Sequence, residues 1–230
     1  EFDRAMADYN EAIQINPEYA NTYNNRGLAY ASKGEIDLAI ADYTNALQFK
    51  SNNFRAHYNR GNAYYDKDDF DLAIADFTKA IQHNPKYVSA YNNRGCAYRD
   101  NGDYQRAITD LTEAIQLNPN SYTAYKNRGD SYHKIGSLDS AMADFTQSIQ
   151  LDTTYFKAYY SRGEVHREKG DFDLAIEDFT KVIEIEADFA RPYLRRGMAY
   201  KQKGDLERAY KDLMKAKELG NGEEQKEADE

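Results

Sequence analysis

Apolar side chains in this chain follow two rhythms: steps of four and three inside a stripe, and 34 between stripes. Counting Ala20, Phe54, Val88, Tyr122, Phe156 and Ala190 each as position 1, position 4 is Tyr23, His57, Tyr91, Tyr125, Tyr159 and Tyr193. Position 8 is Gly27, Gly61, Gly95, Gly129, Gly163 and Gly197, and position 11 is Tyr30, Tyr64, Tyr98, Tyr132, His166 and Tyr200. Residues four and three apart share a helix face. A second stripe, also four then three, runs Ala39-Tyr43-Ala46 and recurs through Ala73-Phe77-Ala80, Ala107-Leu111-Ala114, Ala141-Phe145-Ser148, Ala175-Phe179-Val182 and Ala209-Leu213-Ala216. Each unit therefore predicts two helices, helix A near 20–33 and helix B near 36–49, repeated every 34 residues. Small Gly and Ala let the two approach, and the aromatics fill the space beside them.

Turn chemistry agrees. Position 15 is Gly34, Gly102, Gly136, Gly170 and Gly204, with Asp68 once, as a helix end in the left-handed region requires. Helix B ends before Pro17, Pro85 and Pro119; Ser51, Thr153 and Ala187 take that place elsewhere. Residues 1–19 read as a helix B without its helix A, in register through Phe2, Ala5, Tyr9, Ala12 and Pro17. Residues 20–219 hold six units. The last helix B carries Lys217 where others carry Leu or Ile and reads as a solubilising cap, and 220–230 reads as an acidic tail. The unpaired first helix suggests a fragment of a longer array.

The period and the run Tyr91, Gly95, Tyr98, Ala107, Leu111, Ala114 and Pro119 resemble the tetratricopeptide repeat, a 34-residue helix–turn–helix unit. The resemblance covers residues 1 to about 219. It implies an all-α fold, a right-handed superhelical solenoid of antiparallel helix pairs, and a binding surface in place of a reactive pocket. One departure is Arg at position 7, where the family more often has Leu.

Composition narrows the function. A net charge of −9 argues against a nucleic-acid binder, and no apolar run is long enough to span a bilayer. The single cysteine, Cys96, allows no disulfide framework, fits a reducing compartment and favours the cytoplasm. No phosphate loop, nucleophile elbow or metal-ligand spacing occurs, so neither an enzyme, a metal nor a cofactor is expected. His57 and His166 stand at core aromatic positions.

Two polar ladders remain. Arg26, Arg60, Arg94, Arg128, Arg162 and Arg196 occupy position 7, and Asp8, Asp42, Asp76, Asp110, Asp144, Asp178 and Asp212 occupy position 23. Both lie on a shoulder of their helix, which predicts a structural salt-bridge ladder between helices A and B. On the opposite side of helix A, position 6 reads Asn25, Asn59, Asn93, Asn127, Ser161 and Arg195. Asparagine is a mediocre helix former, and its amide matches a peptide group. The row resembles the asparagine ladder of O-linked N-acetylglucosamine transferases. A solvated polar face, or Asn bonding to the adjacent helix, is the alternative.

The resulting expectation is a non-catalytic scaffold that binds an extended protein or peptide segment in a concave groove. Asn24, Asn25, Asn59, Asn62, Asn92, Asn93 and Asn127 would hold its backbone, and Tyr58, Tyr65 and Tyr160 would make apolar contact. Arg191, Arg195 and Lys201 would take an acidic or C-terminal carboxylate end. Lys126, Ser161, Arg191 and Arg195 resemble part of the two-carboxylate clamp of chaperone-binding tetratricopeptide domains, with Asp130 and Ser161 standing where that clamp has Asn. The competing readings are an accessory array of a larger enzyme and self-association through the N-terminal helix.

Overall fold

The computed structural model describes residues 2–220. Thirteen α-helices and no strand occur among them. The first, α1, is Phe2–Ile15. The A helices are α2 (Ala20–Ser32), α4 (Phe54–Tyr65), α6 (Val88–Asp100), α8 (Tyr122–Lys134), α10 (Phe156–Lys169) and α12 (Ala190–Gln202). The B helices are α3 (Ile36–Phe49), α5 (Phe70–His83), α7 (Tyr104–Leu117), α9 (Leu138–Leu151), α11 (Phe172–Ile185) and α13 (Leu206–Leu219). The chain divides into two compact units, Glu1–Pro119 and Asn120–Glu230. In both, each A helix packs on the B helix that follows it, and B helices pack on the next A helix.

Every A-to-B turn ends the same way. In the first, Glu35 N–H reaches back to the Tyr30 carbonyl and Gly34 N–H to Ala31, each at 3.0 Å. Gly34 has φ 79°, so this is the left-handed cap that closes a helix with two bonds. Asp68 adopts φ 60° in the same motif and is the one non-glycine with positive φ among the described residues. Helix starts are capped by side chains at Asn53, Asp103, Ser121 and Asp205, each accepting a backbone N–H from the first turn.

The core forms where the two stripes meet. Ala39 and Tyr43, Ala73 and Phe77, and Ala141 and Phe145 are almost completely buried. The position-8 glycines lie under the ring or branched side chain at position 24. A Cβ built on Gly129 would sit 2.6 Å from Phe145, and one on Gly61 would sit 2.8 Å from Phe77. Helix A has a second packed face that the stripe reading omits. Ala56, Ala63, Ala90, Ala97, Ala124, Ala158 and Val165 are buried, at positions 3 and 10. Their small size, repeated at the same spacing, was the available signal.

The two ends differ from the interior. α1 contains no buried residue, and Asp8 is exposed where its counterparts on later B helices are buried. On α13, Leu206 and Tyr210 are each 68% exposed and Met214 is 49% exposed. They stand four residues apart and form an apolar stripe along α13. The expected acidic tail falls on 221–230, outside the described residues, with Gly220 as the C-cap of α13.

Two stability outcomes follow. Gly129→Ala should destabilise by on the order of 1–2 kcal/mol, because overpacking a buried ring outweighs the gain in helix propensity. Gly197→Ala should cost clearly less, since its nearest contacts, the partly exposed Leu213 at 3.1 Å and the Ala209 carbonyl oxygen at 3.3 Å, are longer. Thermal melts of the two variants side by side decide this; equal shifts would contradict it. Asp68→Gly should raise stability by about 0.5–1 kcal/mol by relieving the left-handed backbone, read from a denaturant midpoint that moves up.

Candidate functional site

The Arg and Asp ladders build one repeated contact. In all six units the guanidinium Nε and Nη2 donate to both carboxylate oxygens of the Asp sixteen residues on, at 2.6–2.9 Å. The pairs are Arg26–Asp42, Arg60–Asp76, Arg94–Asp110, Arg128–Asp144, Arg162–Asp178 and Arg196–Asp212. The carboxylates are buried and the guanidinia nearly so. The third guanidinium nitrogen reaches the preceding B helix. Arg60, Arg94, Arg162 and Arg196 donate to Thr44, Thr78, Thr146 and Thr180 at 2.9–3.2 Å, and Arg26 donates to Asn10 at 2.6 Å. Each of Thr44, Thr78 and Thr180 donates a hydrogen bond from its own hydroxyl to a carbonyl one turn back. Sequence reading missed these threonines, although Thr44, Thr78, Thr112, Thr146 and Thr180 repeat at the unit spacing.

Electrostatics and stacking complete the ladder. Arg94 lies over the Tyr91 and Tyr98 rings at 5.7 and 5.9 Å, and Arg128 over Tyr125 and Tyr132 at 5.7 and 5.8 Å. The Asp hydrogen bond raises the pKa of Arg26, Arg60, Arg128 and Arg162 against the effect of burial. For Arg94 and Arg196 burial is the larger single influence and acts downward, but the Asp bond and charge together still produce a rise. Burial works to raise the Asp76 carboxyl, and the bonds from Arg60 and His57 overcome it and hold it below the usual carboxylate range. His57, standing in for a tyrosine, reaches Asp76 at 2.9 Å and the Ser51 carbonyl at 3.0 Å. Tyr23 makes the corresponding bond to the Pro17 carbonyl at 3.0 Å.

The opposite face of helix A is more tightly knit than the sequence suggests. In the first unit, Asn59 Nδ2 donates to Asn24 Oδ1 on the preceding A helix at 2.9 Å. Asn93 Nδ2 donates to Asn62 Oδ1 at 2.8 Å and Tyr58 Oη at 3.0 Å, while its own Oδ1 accepts from Asn92 at 3.0 Å. Adjacent A helices are thus joined by amides. Asn25 is exposed, and Asn59, Asn62, Asn92 and Asn93 are half-buried.

Three expected groove residues need correction. Asn24 is only 7% exposed, so it belongs to the inter-helix contact and not to an open surface. Tyr58 packs on Phe77 and Tyr87, and Tyr160 on Phe179 and Phe189. The physical reason is that position 5 is turned toward the next A helix, which the two-stripe reading treats as solvent. Burial raises the Tyr160 phenol pKa accordingly.

Tyr65 differs. Its hydroxyl donates to Asp100, its ring meets Phe70, and it lines a cavity of about 380 Å³ with Asn62, Asp66, Asn93 and Cys96. In the second unit, Asn127 is half-buried, and Lys126 is tied to Asp130 at 2.6 Å, which Ser161 also contacts at 3.2 Å. Arg195 faces Glu164 at 3.5 Å, and Arg167 donates to the same carboxylate at 3.1 Å. Arg191 and Lys201 are exposed. Two residues of the carboxylate-clamp resemblance, Lys126 and Arg195, are therefore already engaged by acidic neighbours.

Family models described as tetratricopeptide or TPR repeats match residues 1–34, 28–68, 54–87, 88–121, 122–155, 156–189 and 190–219. The chain belongs to the tetratricopeptide-repeat family. No match was found among curated proteins. Among solved structures, the tetratricopeptide array is similar to the crystal structure of MamA at 34% identity, covering 74% of this chain and 97% of that one with a TM-score of 0.64. It is similar to the crystal structure of YrrB, a TPR protein with an unusual peptide-binding site, at 27% identity, 84% and 97% coverage and TM-score 0.67. PilF of Pseudomonas aeruginosa shares the fold at 20% identity, 91% and 96% coverage and TM-score 0.78. No helix is long and apolar enough to cross a membrane, and no cluster of His, Cys, Asp and Glu able to hold a metal occurs among the described residues.

The ladder in this tetratricopeptide array makes a sharp stability prediction. Arg94→Ala leaves Asp110 buried and unpaired and should cost on the order of 2–3 kcal/mol, below the full buried-pair figure because the guanidinium keeps some exposure. Lys203→Ala, which removes an exposed pair with Asp173, should cost less than about 1 kcal/mol. Equal melting-temperature losses for the two would refute this role for the ladder.

Proposed function

We propose that this tetratricopeptide array is a non-catalytic scaffold that binds an extended peptide segment along the amide-bearing face of its A helices. One observation carries the reading. After the inter-helix bonds are formed, Asn59 Oδ1 accepts no hydrogen bond among the described residues, and Asn62 Nδ2 donates none. The two residues stand three apart on α4 and share a face. One acceptor and one donor left unbonded within the described protein match the N–H and C=O of a peptide group. Their partners on neighbouring helices hold them in place, so little side-chain entropy is lost on binding. Similarity to YrrB, whose structure has a peptide-binding site, supports the class of ligand.

The test begins with selection of displayed random dodecapeptides on the whole chain, followed by calorimetry of a selected peptide. Asn62→Asp keeps the oxygen that Asn93 needs and removes the spare donor. Asn59→Ala removes the spare acceptor. Each should weaken binding by about 0.5–1.5 kcal/mol, the net value of one hydrogen bond, with the melting temperature checked alongside. Scrambling the peptide should matter less than either substitution. A selected peptide held equally tightly by both variants overturns the reading.

A further inference from the structure

The cavity between α4 and α6 has a chemistry that backbone recognition does not use. It is walled by Asn62, Tyr65, Asp66, Asn93 and Cys96 and measures about 380 Å³, room for one long side chain. Its walls are held in place. Asn93 is tied to Asn62 and Tyr58, and Tyr65 is tied through its hydroxyl to Asp100. The Tyr65 ring offers a π face, and Cys96 offers a small, weakly polar surface.

The charges around it do not cancel. Arg99 donates twice to Asp100, at 2.8 and 3.0 Å, so that pair is neutral. Lys67, next to Asp66 in sequence, is bound to Asp37 at 2.6 Å. Asp66 is exposed and has no ion-pair partner among the described residues. A pocket with an ordered aromatic wall therefore carries one uncompensated carboxylate. A long cationic side chain fits this combination: an aliphatic stem or guanidinium plane against Tyr65 and Cys96, and the charge at Asp66.

We propose that this cavity is a specificity subsite for one basic side chain, Arg or Lys, of the bound peptide. It rests on the peptide-binding reading above and adds a preference which that reading lacks. The same region of the second unit has different chemistry: Asp130 is occupied by Lys126 and Ser161, and His133 meets Glu168 at 2.7 Å. The preference therefore belongs to the first unit alone.

Cys96 is the chain's single cysteine and lies in the cavity wall, so its alkylation reports occupancy. The experiment uses the whole chain and acetylated Gly–Ser heptapeptides with a central Arg, Lys, Gln or Glu, at low salt. Binding is read by calorimetry and by the rate at which N-ethylmaleimide modifies Cys96. The Arg and Lys peptides should bind roughly three- to tenfold more tightly than the Gln peptide, as expected for a partly exposed ion pair, and should slow the modification. The Glu peptide should be the weakest. In Asp66→Asn, a near-isosteric change at the exposed C-cap of α4, the preference should fall to within about twofold while the Gln peptide binds as before. Comparison of the Arg and Lys arms tells a guanidinium preference from an ammonium one. Equal binding of all four peptides to the wild type overturns the subsite and leaves the backbone reading standing. A cation preference that survives in Asp66→Asn with Cys96 unprotected also overturns it, by placing the charge elsewhere. If none of the four binds, both readings fall.

Discussion

The contact on which much else in this molecule depends is between a glycine on helix A and the aromatic or leucine side chain that faces it on helix B. A Cβ on Gly129, Gly61 or Gly27 would come within 2.6–2.8 Å of the facing ring. Such distances leave no room for a methyl group in a close-packed core. The glycine therefore sets how near the two helices lie. At that separation the neighbouring Arg can place the Nε–Nη2 edge of its guanidinium on both oxygens of the Asp sixteen residues away. Its third nitrogen is left for the preceding B helix. Packing within a repeat and bonding between repeats are thus set by adjacent residues, Arg and Gly, on one turn of helix A.

The polar ladders specify register more than they add stability. A buried bidentate Arg–Asp pair loses much of its Coulombic gain to desolvation, but its geometry tolerates no slip of one helix past another. The same holds on the other side of helix A, where Asn59 and Asn93 bond to the preceding helix. Two sides of one helix thus carry side chains that bond to the preceding repeat, one to its B helix and the other to its A helix. On α4 they leave the Asn59 amide oxygen and the Asn62 amide N–H without a partner among the described residues, near the Asp66 carboxylate. The binding chemistry proposed for this protein is this remainder.

Much of the fold was legible because it is periodic. The helix pair, its turn and the Gly–aromatic contact each occur in register many times, and repetition separates a weak local signal from chance. The Arg–Asp pairing was legible for the same reason, since two charges at fixed positions can be placed on helix shoulders from 100° per residue alone. Helix-to-helix contacts between repeats were not legible. They depend on how neighbouring pairs stack, which the angle around a single helix does not contain. That is why Asn24, Tyr58 and Tyr160 were assigned to an open surface and turn out to be packed. The threonines opposite the arginines were overlooked for the same reason.

The sequence by itself determined the secondary structure, the repeat length, the pairing of each helix A with its own helix B and the identity of the buried ions. These follow from local periodicity, turn chemistry and side-chain volume. The tertiary structure decided which atoms of the asparagines are already bonded and which stay available. It also decided that Asp66 stands without an ion-pair partner among the described residues beside an ordered cavity, while Lys126 and Arg195 do not stand free of acids. The physical reason is that a hydrogen bond or ion pair needs its partner within about 3 Å, and that distance is fixed only when successive repeats are stacked.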